Sequence, residues 1–247
     1  MKKILILTIG IFLILSTISG SAAFLSFNQS MPIKTVNKTG ICIWPIFRHD
    51  SKRTGYTTGI GAILNPKIRW TYYSPGKGGV ESSAAIIDID NDGRNDVVVG
   101  SWDGNVSSLN GDDGTIKWIF KTDGGVQSSP AVGDIDGDEE LEVLFGSEDG
   151  NMYALCGLDG KKEWSFQTDG RVLCPPAIGD IDKDGEVEVV FGSEDHNVYA
   201  LNGITGAEEW RFETGDHVKS APSIGDIDND GDIEIVTGSY DGNVYAL

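Results

Sequence analysis

The sequence predicts an all-β chain built as a β-propeller of four blades, and three observations predict it. An aspartate that opens an acidic loop recurs at Asp88, Asp134, Asp180 and Asp226, 46 residues apart each time. A glycine (Gly100, Gly146, Gly192, Gly238) and a leucine (Leu109, Leu155, Leu201, Leu247) recur in step with it. A fixed period of this size means stacked copies of one supersecondary unit. Each copy is short runs of alternating apolar residues broken by turn residues, with no convincing helical period, and four short strands in 46 residues match one propeller blade.

Ahead of the repeats, residues 1–23 read as a signal peptide or N-terminal anchor. Lys2 and Lys3 precede an apolar run from Ile4 to Leu15, and small residues from Ser19 to Ala23 follow. That run is short for a membrane span, so cleavage is expected and an uncleaved anchor is the alternative. Residues 24–43 are polar and unpatterned, as a linker is. Residues 44–66 form a lead-in whose start, WPIFRHDSKRTGYTTG, lies outside the repeat. Glycosylation sequons begin at Asn28, Asn37 and Asn105.

The repeats occupy residues 67–247, and one copy is read through the third blade. Val172–Asp182 is a first strand running into the acidic loop. Glu186–Ser193 alternates, with Val187, Val189 and Phe191 on one face. The turn at Asp195-His196 stands where the other copies have Asp-Gly, a strong hairpin signal because the turn needs positive φ. NVYALN is the third strand, and EEWRFET, after Thr205-Gly206, is the fourth. A tryptophan marks each fourth strand, at Trp70, Trp118, Trp164 and Trp210, and is expected to pack between blades. Because Lys67–Tyr73 precedes every first strand, the simplest arithmetic lets it complete the last blade and close the ring. The alternative is an arc of a larger propeller.

Charge points to the loops. The chain has 38 acidic and 19 basic residues, a net charge of -19, and 20 of the acids lie in the four loops. Such a chain repels nucleic acid and anionic lipid, leaving the N-terminal anchor as its only expected membrane contact, and it favours divalent cations. Each loop reads D-x-D-x-D-G-x-x-[DE], with alternate positions able to point at one centre. The expected ligands are Asp88, Asp90, Asp92, Asp96 and the carbonyl of Arg94; Asp134, Asp136, Asp138, Glu142 and the carbonyl of Glu140; Asp180, Asp182, Asp184, Glu188 and the carbonyl of Glu186; and Asp226, Asp228, Asp230, Glu234 and the carbonyl of Asp232. Many flexible all-oxygen ligands suit calcium rather than magnesium. Three to four calcium sites are expected. In the second loop Glu139 replaces the glycine that eases the turn, so that site is expected to be the weakest. Position twelve holds Val99, Phe145, Phe191 and Thr237, so the bidentate glutamate of an EF-hand is missing. The plain alternative is a polar turn, against which stands the repulsion of three aspartates within five residues. Cys42, Cys156 and Cys174 have no metal-ligand spacing. The last two replace Asn110 or Asn202 and Ser128 or Ser220 and read as incidental, one disulfide being the alternative.

Two resemblances follow from these residues. Ala200-Leu201-Asn202, Thr205-Gly206 and Trp210 resemble the tryptophan-docking motif of pyrroloquinoline quinone (PQQ)-type propeller repeats, as less fully do Ala154…Gly160…Trp164 and Leu109-Asn110…Gly114…Trp118. The lead-in resembles the W-P-x-F-x-x-D…T-G segment common before such repeats in secreted proteins. The acidic loop followed by V-V-x-G-S resembles FG-GAP repeats, the calcium-loop blades of integrin α-type propellers. The resemblance implies an extracytoplasmic, secreted or cell-surface calcium-binding propeller that acts as a non-catalytic binding or adhesion module. Its partner would be a protein or glycan of the envelope. The alternatives are a PQQ-dependent oxidoreductase and an envelope assembly scaffold. Against the oxidoreductase, the resemblance implies an adjacent cysteine pair and a longer chain, and the sequence has neither. Only three histidines occur, His49, His196 and His217, and no catalytic motif accompanies them.

Overall fold

The computed structural model describes residues 65–247. The expected signal segment, the linker, nearly all of the lead-in and Cys42 lie outside the described residues. The rest is β-structure: β1 (Ala85–Ile87), β2 (Asp96–Gly100), β3 (Asn105–Asn110), β4 (Ile116–Lys121), β5 (Ala131–Gly133), β6 (Glu142–Gly146), β7 (Asn151–Cys156), β8 (Lys162–Gln167), β9 (Ala177–Gly179), β10 (Glu188–Gly192), β11 (Asn197–Asn202), β12 (Glu208–Glu213), β13 (Ser223–Gly225), β14 (Glu234–Gly238) and β15 (Val244–Ala246). They form four antiparallel meanders, β1–β4, β5–β8, β9–β12 and β13–β15, each one blade. The first strands come out shorter than expected; ahead of β5, β9 and β13 the backbone bonds the preceding blade instead, the N–H groups of Val126, Val172 and Val218 donating to the carbonyls of Ser101, Ser147 and Ser193. The second strands alternate in sequence but β6 and β10 are buried along their whole length. Neighbouring blades cover both faces of a middle strand, so alternation no longer means inside against outside.

The cores lie between blades. One cluster joins blades one and two through Val98, Trp118, Phe145 and Leu155; the next joins blades two and three through Leu144, Trp164, Phe191 and Leu201. The recurring glycine at the end of each second strand is explained here. A Cβ on Gly100, Gly146 or Gly192 would stand 2.5, 2.4 or 2.2 Å from Cγ1 of Val126, Val172 or Val218, the valine entering the next blade. Trp118 and Trp164 pack as expected. The Trp118 indole N–H donates to the Gly157 carbonyl at 2.7 Å and Trp164 to Gly203 at 2.8 Å, each one blade on. Each ring lies over a left-handed glycine, Gly160 (φ 70°) or Gly206 (φ 67°), whose missing side chain leaves it room.

Closure is not found among the described residues. Lys67–Tyr73 forms no strand, and Trp70 donates to the Gly111 carbonyl on blade one. β1 touches β5, β5 touches β9 and β9 touches β13, but β13 does not touch β1. Among the described residues the four blades thus follow one another in a row, and β15 pairs only with β14. Trp210, without a docking glycine, lines a groove with Phe212, Ile233, Ile235 and Leu247 at the open end. The Cys174 thiol takes the role of the serine it replaces. It bonds the N–H and carbonyl of Gly192, as Ser82 bonds those of Gly100 and Ser220 those of Gly238. Asn105 is 7% exposed inside a blade, so its sequon is not presented to solvent.

Candidate metal centres

In a meander the β1–β2 loop and the β3–β4 turn share one edge of the blade. All four acidic loops therefore line one rim of the row. Each loop is shaped by its own side chains. The opening aspartate accepts backbone N–H groups from positions four to six: Asp88 from Asp92 and Gly93, Asp134 from Gly137 and Glu139, Asp180 from Lys183, Asp226 from Asn229 and Gly231. The position-five aspartates Asp92, Asp138, Asp184 and Asp230 accept from position seven, Arg94, Glu140, Glu186 and Asp232, at 2.8 Å in every copy.

Positions four and six both take the left-handed conformation. They are Asn91 and Gly93, Gly137 and Glu139, Lys183 and Gly185, Asn229 and Gly231. Every loop thus carries one glycine and one side-chain-bearing residue at positive φ. In the second loop the glycine has moved from position six to position four. Glu139 is strained as expected (φ 74°), but Gly137 relieves the strain that Asn91, Lys183 and Asn229 bear elsewhere. The second site is therefore no weaker in backbone than the rest.

The fold brings three carboxylates per loop within 4.8 Å of one another. They are Asp88, Asp90 and Asp96; Asp134, Asp136 and Glu142; Asp180, Asp182 and Glu188; and Asp226, Asp228 and Asp230. Asp92, Asp138 and Asp184 stay outside these clusters, as does Glu234 in the fourth loop. The position-nine acid opens the second strand and is buried, Asp96 and Glu142 at 1% exposure and Glu188 at 0%. One oxygen accepts the N–H of position two: Ile89 for Asp96, Ile135 for Glu142, Ile181 for Glu188, Ile227 for Glu234. The other oxygen of Glu188 has no partner. Burial, with Glu163 and the loop aspartates adding to it, pushes the Glu142 carboxyl up to about 8 against the Ile135 N–H; burial likewise pushes Glu188 up to about 7. A buried acid with an orphaned oxygen, facing two aspartates, is a donor set that a hard divalent cation satisfies.

Reading the loops alone misses what lies opposite them on the fourth strand. Lys117, Glu163 and Glu209 each precede the tryptophan of a fourth strand and are equivalent by the repeat. In blade one the Lys117 ammonium lies 2.7 Å from Asp90 Oδ2 and 2.7 Å from Asp96 Oδ2, so this loop holds a built-in cation. Burial works against the charged lysine, but its bonds to the two aspartates outweigh it and raise its pKa. In blades two and three the equivalent residue is a carboxylate, exposed and outside the three-acid cluster. Partial burial raises the Glu163 pKa, and the charges of Asp136, Asp138 and Glu140 raise it further. Glu209 is raised in the same way, by burial and then by Asp182, Asp184 and Glu186. The available signal was the residue before each tryptophan, basic at Arg69 and Lys117 and acidic at Glu163 and Glu209. Loops three and four are also tied together, Lys183 Nζ lying 2.6 Å from Asp232 Oδ1.

The family model described as outer membrane protein assembly factor BamB matches residues 70–246, and the chain belongs to that family. No curated protein matches the sequence. Among solved structures, BamB from Moraxella catarrhalis is similar at 19% identity and a TM-score of 0.52, over 72% of this chain and 49% of that one. The chain thus spans about half the length of that relative. The computationally designed Ika4 protein is similar at 17% identity and a TM-score of 0.54, over 74% of this chain and 98% of that one. At these identities the likeness concerns the fold.

Proposed function

We propose that this chain is an extracytoplasmic, calcium-stiffened propeller that acts as a non-catalytic binding module, its partner a protein of the cell envelope. Calcium is carried in this reading by one observation, the orphaned oxygen of Glu188 inside a cluster with Asp180 and Asp182. Asp180, Asp182 and Glu188, with Glu209 opposite, would hold the ion in blade three; Asp134, Asp136 and Glu142, with Glu163, in blade two; Asp226, Asp228 and Asp230 in blade four. The ion supplies charge neutralisation and a rigid rim, not chemistry on a substrate. Loop one is left to Lys117. The envelope partner rests on the family description, that of an assembly factor.

The test is calcium-dependent capture. Immobilised protein is incubated with envelope extract in millimolar calcium or in chelator, beside the Asp182→Asn/Glu188→Gln double variant. One envelope protein retained by the wild type in calcium, and lost both in chelator and with the variant, is the expected result. Equal capture in all three conditions refutes a calcium-shaped binding rim. An absorbance scan with added PQQ addresses the oxidoreductase alternative: a bound-quinone spectrum overturns the non-catalytic reading.

A further inference from the structure

The opposite rim carries a second cluster of different chemistry. It is built from the β10–β11 turn and the connection from β12 to β13. The repeat serves as an internal control. His196 stands where the other three copies have Gly104, Gly150 and Gly242. Asp216 stands where two others have Gly124 and Gly170, and His217 where they have Gly125 and Arg171. Three departures from the repeat, from two separate segments, thus meet at one place: each offers a ligand atom within 4.8 Å of the others. His196 Nε2 lies 3.9 Å and His217 Nε2 4.0 Å from Asp216 Oδ1.

Two details set this cluster apart from a chance surface group. His196 holds the left-handed conformation (φ 78°) that the turn gives to glycine elsewhere, so a strained backbone is kept where an imidazole is gained. His217 Nδ1 bonds the Glu194 carbonyl. A carbonyl only accepts, so Nδ1 carries the proton and Nε2 keeps its lone pair, the second-shell arrangement of metal-ligating histidines. Asp216 Oδ1 also accepts the backbone N–H of His217 at 2.8 Å, which fixes its carboxylate. The Glu194 carboxylate is engaged by Lys219 and Arg171 and is not a fourth ligand. All three side chains remain between 42% and 44% exposed, so an ion has a path in. The Tyr240 ring, 6.5 Å from that of His217, walls one side.

We propose that His196, Asp216 and His217 bind one transition-metal dication of the zinc class, with water completing the coordination. Two imidazoles and a carboxylate suit zinc, not calcium. Zn–N bonds of about 2.0–2.1 Å set tetrahedral ligands roughly 3.3 Å apart, so the two histidine–aspartate spacings close by about 0.6–0.7 Å, within reach of side-chain rotation. The site would tie blade three to the entry of blade four on the rim away from the acidic loops.

The test is titration of Zn2+ into the full chain in millimolar Ca2+, which keeps the carboxylate loops occupied. Co2+ is used in parallel for its visible absorption. One equivalent of zinc and a tetrahedral cobalt spectrum are expected. His196→Gly restores the residue of the other copies, so it should fold, melt at a higher temperature without metal, and bind zinc roughly 100-fold more weakly. His217→Arg, which copies blade two's connection, should lose the cobalt spectrum. Zinc binding that is absent from the wild type, unchanged in His196→Gly, or removed by calcium overturns the assignment.

Discussion

Replacing Lys117 by alanine separates a built-in cation from a bound one. Its ammonium lies 2.7 Å from Asp90 and 2.7 Å from Asp96, and the Asp96 side chain is 1% exposed. Removing one partner of a fully buried pair costs about 3–5 kcal/mol, because a charge is left uncompensated. Lys117 and Asp90 keep some contact with water, so the low end applies, about 3 kcal/mol in chelator. For a chain of this size that corresponds to a fall in melting temperature of roughly 6–12 °C. Calcium should recover most of it, since Asp88, Asp90 and Asp96 then form the same set that loops two and three present. The assay is thermal unfolding of wild type and Lys117→Ala, each in chelator and in millimolar calcium, with calcium stoichiometry measured alongside. The variant should be markedly weaker only in chelator and should bind one more ion. A loss of equal size in both conditions, with unchanged stoichiometry, refutes the equivalence of lysine and metal.

Three further outcomes follow from the same geometry. Glu142 and Glu188 are raised to about 8 and about 7 from an ordinary 4.5, so their stabilising contribution is complete below pH 4.5 and is lost as the pH rises through 7 to 8. Metal-free protein should therefore weaken by several kcal/mol between pH 5 and pH 8, and calcium, which favours the charged carboxylates, should flatten that slope in urea unfolding. Glu139→Gly should stabilise the protein by about 0.5–1 kcal/mol, read as a higher urea midpoint, because it removes a side chain at φ 74°. Gly160→Ala should cost about 2–3 kcal/mol in the same assay, since its Cβ would stand 2.7 Å from the Trp118 ring at a φ of 70°.

The 46-residue period gave away the blade because every copy repeats its turn and packing residues in register. The third strand NVYALN and the tryptophan docking were legible to the residue for that reason. The place of Lys67–Tyr73 was not, because Trp70 repeats the fourth-strand signal while its segment forms no strand and its indole docks on blade one. The strand-two alternation was legible, Val187, Val189 and Phe191 sharing one core; what it did not reveal is that Val190, on the other face, is buried in the next one. In the site, the buried role of Glu188 was implicit in its place at the head of a second strand. Lys117 was not legible from its loop, since it lies 21 residues beyond Asp96 and meets it only when the outer strand folds back. The His196, Asp216 and His217 cluster left its trace as departures from the repeat, visible once two segments are known to adjoin.

The central claim is that these loops are metal sites, three of them open and one closed by lysine. Calorimetric titration of calcium into the chelator-treated chain tests it most directly. Three equivalents, with a rise in melting temperature, are predicted. Four would show that Lys117 yields its place to the ion. No binding heat at millimolar calcium, with no change in melting, would contradict the account and leave the loops as polar turns on a plain propeller.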